Sequence, residues 1–451
     1  MSQKILIANR GEIAVRAIRA CREMGIGTVA VYTRADKDSL HVKYADEAVC
    51  IGENKAADSY LDFYRVLSAA SVTHADAVYP GTGFLSENAL FSKVCAEVGM
   101  RFIGAPAETL HMLGDKILAK QAAVQSGLPV VPASENALAD ADACLKEAER
   151  IGYPVLLKAV GGGGGKGIRR VSAPEEMKAA FTACVNEARA AFGSDQVFIE
   201  KCLENVRHVE VQILADGFGN AVHLFDRDCT MQRMHQKMIE EAVSPFVPPE
   251  TKRRIYEDAV RVVRDIHYVG AATVEFLVDR EGRYYFMEVN PRIQVEHPVT
   301  EMVTGLDIVK EQIRVAMGEK LSVRTPDAPS GHAIEVRINA EDPERGFMSS
   351  IGTVTGCTFP AGTGIRIETF IHEGLRITPY YDSMIAKVIA WADTRELAIR
   401  RMRFALDELD IGGITTNAKL QKELLGTEAF ASGGSHTTFV EEYLRERTGG
   451  G

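Results

Sequence analysis

The chain has no Cys-x-x-Cys pair; its eight cysteines are scattered, the nearest two being Cys184 and Cys202. That spacing argues against a zinc site or a disulfide framework and predicts reduced thiols. No apolar run approaches membrane-spanning length, and the first residues, MSQKILIANRGE, lack the apolar core of a signal peptide. The expectation is a soluble, cytoplasmic protein. An excess of basic residues is missing too: the formal net charge is −10, which argues against nucleic acid or an anionic membrane as main partner. A local basic pocket for a polyphosphate is compatible with that charge. The first strand is followed by NRGE rather than GxGxxG, and no glycine loop ends in Gly-Lys-Ser/Thr, so neither the dinucleotide fingerprint nor a Walker-type loop is present. Tandem repeats, low-complexity segments and heptad runs are also absent. What remains is 46 % apolar and 25 % charged, the balance of a globular enzyme. Its length of 451 residues implies several lobes rather than one.

The most informative stretch is 286–298, FMEVNPRIQVEHP. Alternate positions carry Glu288, Asn290, Arg292, Gln294 and Glu296, and the positions between them are apolar. Extended backbone sends successive side chains to opposite faces, so one face is polar and the other can be buried. Eight fully extended steps would span roughly 26 Å, too far for both carboxylates to serve one small reacting centre. Pro291 cannot donate a ladder hydrogen bond, so the strand is predicted to end there and the chain to curl back. Glu288 and Asn290 read as ligands of a hard cation, Arg292 and Glu296 as reaction groups. ATVEFLVD (272–279) and RYYFMEVN (283–290), joined by Glu281-Gly282, read as a hairpin that sets Glu275 beside Glu288. Two carboxylates with Asn290 suit Mg²⁺.

Upstream, strands at 4–8, 28–32, 76–80 and 101–104 alternate with helical stretches, which predicts a parallel sheet with crossover helices. On the helix 12–24, Arg16, Arg19 and Glu23 have the spacing of solvated ion pairs, or of a subunit interface. The loop 80–88, PGTGFLSEN, follows a strand, where open α/β sheets place ligand residues; its plainer reading is a turn capping a helix. Lys158 interrupts an apolar strand and needs an anionic partner. The following VGGGGGKGIRRV lets backbone N–H groups converge on phosphate oxygens, against the alternative of a flexible linker. Glu200 and Lys201, where a strand meets a charged turn, can frame a purine. Arg227, Gln232, Arg233, His235 and Lys237 crowd the segment 226–245; such a run is either a solvated face or the meeting point of phosphate and an anionic substrate. In 331–342 the alternation puts Ile334, Val336 and Ile338 inward and Glu335, Arg337 and Asn339 on the other face. Arg337 is thus a second candidate guanidinium, or an ordinary surface ion pair.

Taken together, IANRGEIAVR, ADEAVCIG, GFLSENA, LGDK, GGGGGKG, RDCTMQRMHQK, EVNPRIQVEHPVTEM, INAEDP and PYYDSMIAK resemble the biotin carboxylase family of ATP-grasp ligases over essentially the whole chain. The resemblance implies an α/β fold. Residues 1–113 would be an N-terminal Rossmann-like domain, 114–325 an ATP-grasp domain with a mobile lid at about 131–203, and 330–445 a β-rich C-terminal domain. It implies that Lys116, Lys158, Gly163, Gly164 and Gly165 hold ATP phosphates and that Glu200, Lys201 and Leu203 frame adenine. His208, Gln232 and His235 would line the nucleotide pocket, while Glu275, Glu288 and Asn290 would ligate Mg²⁺ or Mn²⁺. Lys237, Arg292, Gln294 and Val295 would bind bicarbonate, with Glu296 as general base, and Arg337 would stabilise the biotin anion near Thr82.

The activity so implied is ATP-dependent carboxylation of biotin with bicarbonate through carboxyphosphate. Biotin would be carried on a separate biotin carboxyl carrier protein, since the chain has no Met-Lys-Met biotinylation site. A carboxyltransferase subunit and a second copy of the chain, in a homodimer, are the other expected partners. The final acceptor, acetyl-CoA, pyruvate or another acid, is not legible. The chain departs from the family's usual residues at Thr82 (usually Tyr), Met234 (usually Arg) and Val243 (often Pro), none of them a catalytic group. Thr82 and Met234 keep one alternative in view, a nucleotide-binding regulatory paralogue without turnover; a second is another ATP-grasp carboxylate–amine ligase, which would need a different acceptor pocket.

Overall fold

The computed structural model describes residues 3–160, 167–192 and 196–447. Strands β1 (Lys4–Ile7), β2 (Gly27–Thr33), β3 (Glu47–Gly52), β4 (Ala77–Tyr79) and β5 (Arg101–Phe102) form a parallel sheet in the order β3-β2-β1-β4-β5. β1 and β4 read as continuous apolar runs because both faces of a parallel sheet are covered by crossover helices. On helix Gly11–Glu23, Ile13, Ala17, Ile18 and Cys21 recur at helical spacing and join one core with Ile5, Ile7 and Tyr79. The chain order reverses between β1 and β4, and the loops that leave those two strands meet there. Asn9 Nδ2 donates to the carbonyls of Pro80 (2.6 Å) and Thr82 (2.8 Å) and joins them.

Arg16 departs from the expectation of a solvated pair. It is buried and donates to Asp307 (2.6 Å) and Glu301 (3.1 Å), tying the first lobe to the body. Helical spacing identifies which residues share a face, but not what a distant segment lays against that face.

β6 (Val155–Ala159), β7 (Ile168–Val171) and β8 (Val197–Lys201) make a small antiparallel sheet, β7-β6-β8. With the helices Ala141–Ile151 and Met177–Phe192 it has its own core, around Cys144, Ala148, Leu157 and Ile199. Gly163, Gly164 and Gly165 lie outside the described residues.

The body is one antiparallel sheet of β9 (Arg207–Ala215), β10 (Ala221–Arg233), β11 (Gln236–Ala242), β12 (Gly270–Val278), β13 (Tyr284–Asn290), β14 (His332–Asn339), β15 (Ile365–Thr369) and β16 (Met384–Ala392). Its order is β13-β12-β9-β10-β11-β14-β16-β15. The β11–β14 pairing carries it without a break from the central segment into the C-terminal one. On β14, Ile334, Val336 and Ile338 enter a core with Met402 and Ala405 of helix Arg395–Glu408, as the alternation predicts. The opposite face is only partly open, at Arg337 and Asn339. Glu335 is 0 % exposed, because helix His297–Thr304 packs there, Val299 and Val303 clustering with Ala333 and Ile389. Among the described residues no helix is long and apolar enough to cross a membrane.

Candidate active site

β13 stops at Asn290, immediately before Pro291, and the chain turns through 291–296 into helix His297–Thr304. The curl predicted from Pro291 is therefore present. Strand register then assembles a row of charges across four strands. Glu288 pairs with Glu275, Glu275 with Glu210, and Glu210 with Arg227. Directly opposed residues share a face at about 5 Å between Cβ atoms, so three carboxylates and a guanidinium stand side by side.

One ammonium organises the centre. Lys237 Nζ donates to Glu210 Oε2 (2.5 Å), Glu296 Oε1 (2.7 Å) and Glu275 Oε1 (3.0 Å). Burial works against its charge, yet the three carboxylates outweigh burial and raise its pKa well above the lysine value. Burial likewise opposes the charge of Glu296, and Lys237, Arg337 and Arg227 more than reverse it, leaving the carboxyl far below its usual range. Glu275 is depressed in the same way, by Lys237 and His208 against burial. His208 Nε2 lies 2.9 Å from Glu275 Oε2. Arg227, 0 % exposed, donates to Glu210 (2.6 Å), Gln212 (2.7 Å), Gln294 (3.0 Å), Thr300 (3.0 Å) and Thr273 (3.1 Å). Gln294 passes the connection on, its Nε2 donating to Glu275 Oε1 at 2.7 Å.

Two further guanidinium groups flank this centre. Arg337 donates from Nε to Glu240 (2.6 Å) and from Nη2 to Glu296 Oε2 (3.0 Å), so it is no ordinary surface pair. Glu240 is pushed up to about 7, first by burial, with Arg337 opposing and Glu296 adding to the rise. Arg292 donates to Glu87 (2.5 Å) and to Asn290 Oδ1 (3.3 Å). Glu87 belongs to the loop 80–88, which thereby touches the site as well as capping helix Ala89–Glu97 through Asn88. Thr82 stands half-buried in that same loop.

The cations expected at a polyphosphate come from two further elements. Lys116 opens helix Lys116–Gln125, whose first turn is capped by Asp115, and reaches Glu288 at 3.9 Å. Lys158 finds its anionic partner within the protein: Glu200, which also accepts from Lys120 at 3.0 Å. Burial opposes the Glu200 charge, but Lys158 and Lys120 bring the carboxyl down to about 2. The Lys201 side chain leaves in another direction, to the carbonyls of Tyr153 (2.8 Å) and Gly152 (2.9 Å). Leu203 is half-buried just past β8, and Gln232 is buried near the end of β10, donating to the Cys229 carbonyl (3.3 Å). Met234 and His235 form the two-residue turn between β10 and β11, both with positive φ. The run 226–245 is thus a hairpin whose strands are mostly buried and whose tip, 234–236, is exposed.

The residues present fit a divalent cation. Glu288 sits opposite Glu275, and its pKa is raised by burial and then by that neighbouring charge, with only Lys116 and His208 offsetting them. A cation held by these two carboxylates would remove the repulsion. Asn290 lies beside them, its Nδ2 donating to Glu275 at 2.9 Å.

Glu210, Arg227, Lys120, Glu87 and Glu240 did not stand out as site residues in the sequence. For Glu210 a signal existed: RHVEVQ repeats the alternation of 286–298, placing His208, Glu210 and Gln212 on one face. Arg227 was visible only as one member of a charge run. For Lys120, Glu87 and Glu240 no local pattern marks the role.

Family models match three successive segments: "Biotin carboxylase, N-terminal domain" over residues 1–110, "Carbamoyl-phosphate synthase L chain, ATP binding domain" over 115–324, and "Biotin carboxylase C-terminal domain" over 335–442. Biotin carboxylase 1 of Bacillus subtilis is 50 % identical over 445 residues, covering 98 % of this chain and 99 % of that one. The crystal structure of a Campylobacter jejuni biotin carboxylase complex superposes with a TM-score of 0.96 at 44 % identity, covering 98 % and 99 %. The biotin carboxylase domain dimer of Hydrogenobacter thermophilus 2-oxoglutarate carboxylase, in complex with MgADP, ADP and bicarbonate, gives 0.96 at 46 % identity, covering 99 % and 98 %. With this likeness spanning every lobe, the chain belongs to the biotin carboxylase family.

Proposed function

We propose that the residues gathered around Lys237 carry out ATP-dependent carboxylation of biotin with bicarbonate, the activity that membership of this family of ATP-dependent ligases gives the chain. The observation that carries the residue assignment is the position of Glu296: one carboxylate, 1 % exposed, held between the Lys237 ammonium and the Arg337 guanidinium.

In the resting arrangement Glu296 is a weak base, because both cations stabilise its charge. Bicarbonate entering between Lys237, Arg292, Gln294 and the Val295 backbone would draw those cations to itself. Glu296 would then lose stabilisation, its pKa would rise, and it would take the bicarbonate proton as the oxygen attacks the terminal phosphorus. As that P–O bond forms, the bond from the terminal phosphorus to the β-phosphate oxygen breaks, and the products are carboxyphosphate and ADP. Lys116, Lys158 and the glycine run 161–165 would bind the nucleotide's phosphates, with Glu200, Leu203, His208, Gln232, His235 and the Lys201 backbone around the rest of it. Lys158 and Lys120 are held by Glu200 in this structure, so nucleotide binding would exchange that carboxylate for phosphate. Mg²⁺ or Mn²⁺ on Glu275 and Glu288, with Asn290 beside them, would neutralise phosphate charge.

In the second step carboxyphosphate would break its C–O bond to give CO₂ and phosphate, the phosphate would take the ureido N–H proton as the nitrogen bonds to CO₂, and Arg337 would balance the negative charge that develops on the biotin ureido oxygen. It borders a pocket shared with Arg233, Lys237, Asn339, Glu341 and Phe347. Thr82 is the proposed contact from the opposite loop. Biotin would arrive on a biotin carboxyl carrier protein and leave, carboxylated, for a carboxyltransferase; the working form would be a homodimer. The test is ATP hydrolysis by the purified chain. It should depend on bicarbonate and be increased by free biotin, and Arg337→Ala should lose the increase. A rate indifferent to biotin in the parent chain would refute the proposal.

A further inference from the structure

None of the roles above uses Lys387, although it is 0 % exposed. It lies on β16, opposite Arg337 on one neighbouring strand and Glu368 on the other. Its Nζ is 3.2 Å from Glu12 Oε1, in the first turn of helix Gly11–Glu23, and donates to the Val295 carbonyl at 2.7 Å. Glu335 is on the same face of the sheet, 0 % exposed, and among the described residues neither of its oxygens has a hydrogen-bond partner. Burial works against the Lys387 charge, and its acidic neighbours, Glu12 in contact and Glu368 on the adjoining strand, raise its pKa nonetheless, while burial pushes the Glu12 and, further, the Glu335 carboxyl up.

A buried lysine is costly to the fold, and an apolar residue of the same length would fill its space at lower cost. What methionine could not supply is the bond to Val295. That carbonyl belongs to the turn bearing Arg292, Gln294 and Glu296. Because the peptide is planar and trans, fixing the Val295 C=O on Lys387 also fixes the Glu296 N–H in the opposite direction. The bonds from which the side chains on either side project are set with it.

We propose that Lys387 is a positioning residue for the anion-binding turn: through the Val295 carbonyl it holds Arg292, Gln294 and Glu296 in the arrangement that bicarbonate requires. Glu12 anchors Lys387 from the N-terminal lobe, so the turn is referenced to that lobe as well as to its own strand. The inference rests on reading 292–296 as the bicarbonate site.

The experiment is steady-state ATP hydrolysis by the full chain with Mg²⁺, varying bicarbonate and ATP separately. In Lys387→Met the KM for bicarbonate should rise about tenfold or more while the KM for ATP stays within about twofold, since neither Lys116 nor Lys158 touches Lys387. Glu12→Gln keeps the ammonium and its bond to Val295 but loosens its anchor, and should raise the bicarbonate KM by about threefold. This second variant carries the test if Lys387→Met does not fold. An unchanged bicarbonate KM in a folded variant, with only the melting temperature lowered, would make Lys387 a staple of the fold and overturn the inference alone. ATP hydrolysis by the parent chain that ignored bicarbonate would overturn the reading of the turn, and the inference with it.

Discussion

Lys237 Nζ lies 2.7 Å from Glu296 Oε1, and the same ammonium also touches Glu210 and Glu275. Three carboxylates from three different segments share one cation in a buried site. Removing that cation strands their charge. Lys237→Met is expected to destabilise the body by about 3 kcal/mol, the usual cost of breaking a buried pair from one side. Bicarbonate-dependent ATP hydrolysis should fall by about a hundredfold or more. Urea unfolding followed by circular dichroism, together with a phosphate-release assay, measures both; a variant as stable and active as the parent would contradict the hub.

Glu288 faces Glu275 across the hairpin, and Lys116, 3.9 Å away, offsets only part of the repulsion. Glu288→Gln removes the repulsion and one oxygen ligand together. The Mg²⁺ concentration for half-maximal activity should therefore rise about tenfold, while thermal stability without metal is held or slightly increased. A magnesium titration at fixed ATP reads the first effect and a melt in EDTA the second. An unaltered magnesium dependence would take Glu288 out of the metal site.

His41 is fully buried and held down to about 4, chiefly by desolvation, with Arg10 adding to the fall and Asp36 opposing. Its ring Nε2 is 3.3 Å from the Val31 carbonyl. Because the folded pKa lies below the unfolded one, the unfolded chain binds the extra proton between about pH 4 and 6.5. Stability is complete above that window and falls with acidification through it. His41 alone should contribute a loss of about 2 kcal/mol on going from pH 7 to pH 5. In His41→Gln the pH dependence of denaturant stability should flatten by that amount; an equal slope in both chains would show that His41 is not held neutral.

The turn Met234-His235 uses positive φ, 48° and 63°, at two non-glycine residues. Two-residue hairpins with this geometry favour Asn and Gly. Met234 is 65 % exposed, so its side chain contributes little packing in exchange. Met234→Gly should therefore raise stability by about 0.5–1 kcal/mol, seen as a higher melting temperature, with bicarbonate-dependent ATP hydrolysis unchanged. A lower melting temperature would mean that the methionine makes a contact worth more than its backbone strain.

The sequence alone settled whatever depends on near neighbours. Period-two alternation put Glu288 and Asn290 on one face, Pro291 ended the strand, and the Glu281-Gly282 turn joined the hairpin, while a bulge between Glu275 and Phe276, which the turn does not dictate, sets Glu275 opposite Glu288. Recurring motifs along the whole length added the family. Tertiary structure decided which charges meet. Lys237 joins Glu210, Glu275 and Glu296 from separate segments; Arg16 is sealed against Glu301 and Asp307; Lys158 and Lys120 are both matched by Glu200. A charged side chain looks the same in a sequence whether it meets water or a buried counter-ion. The difference is made by desolvation, and desolvation depends on which remote segments close over the residue.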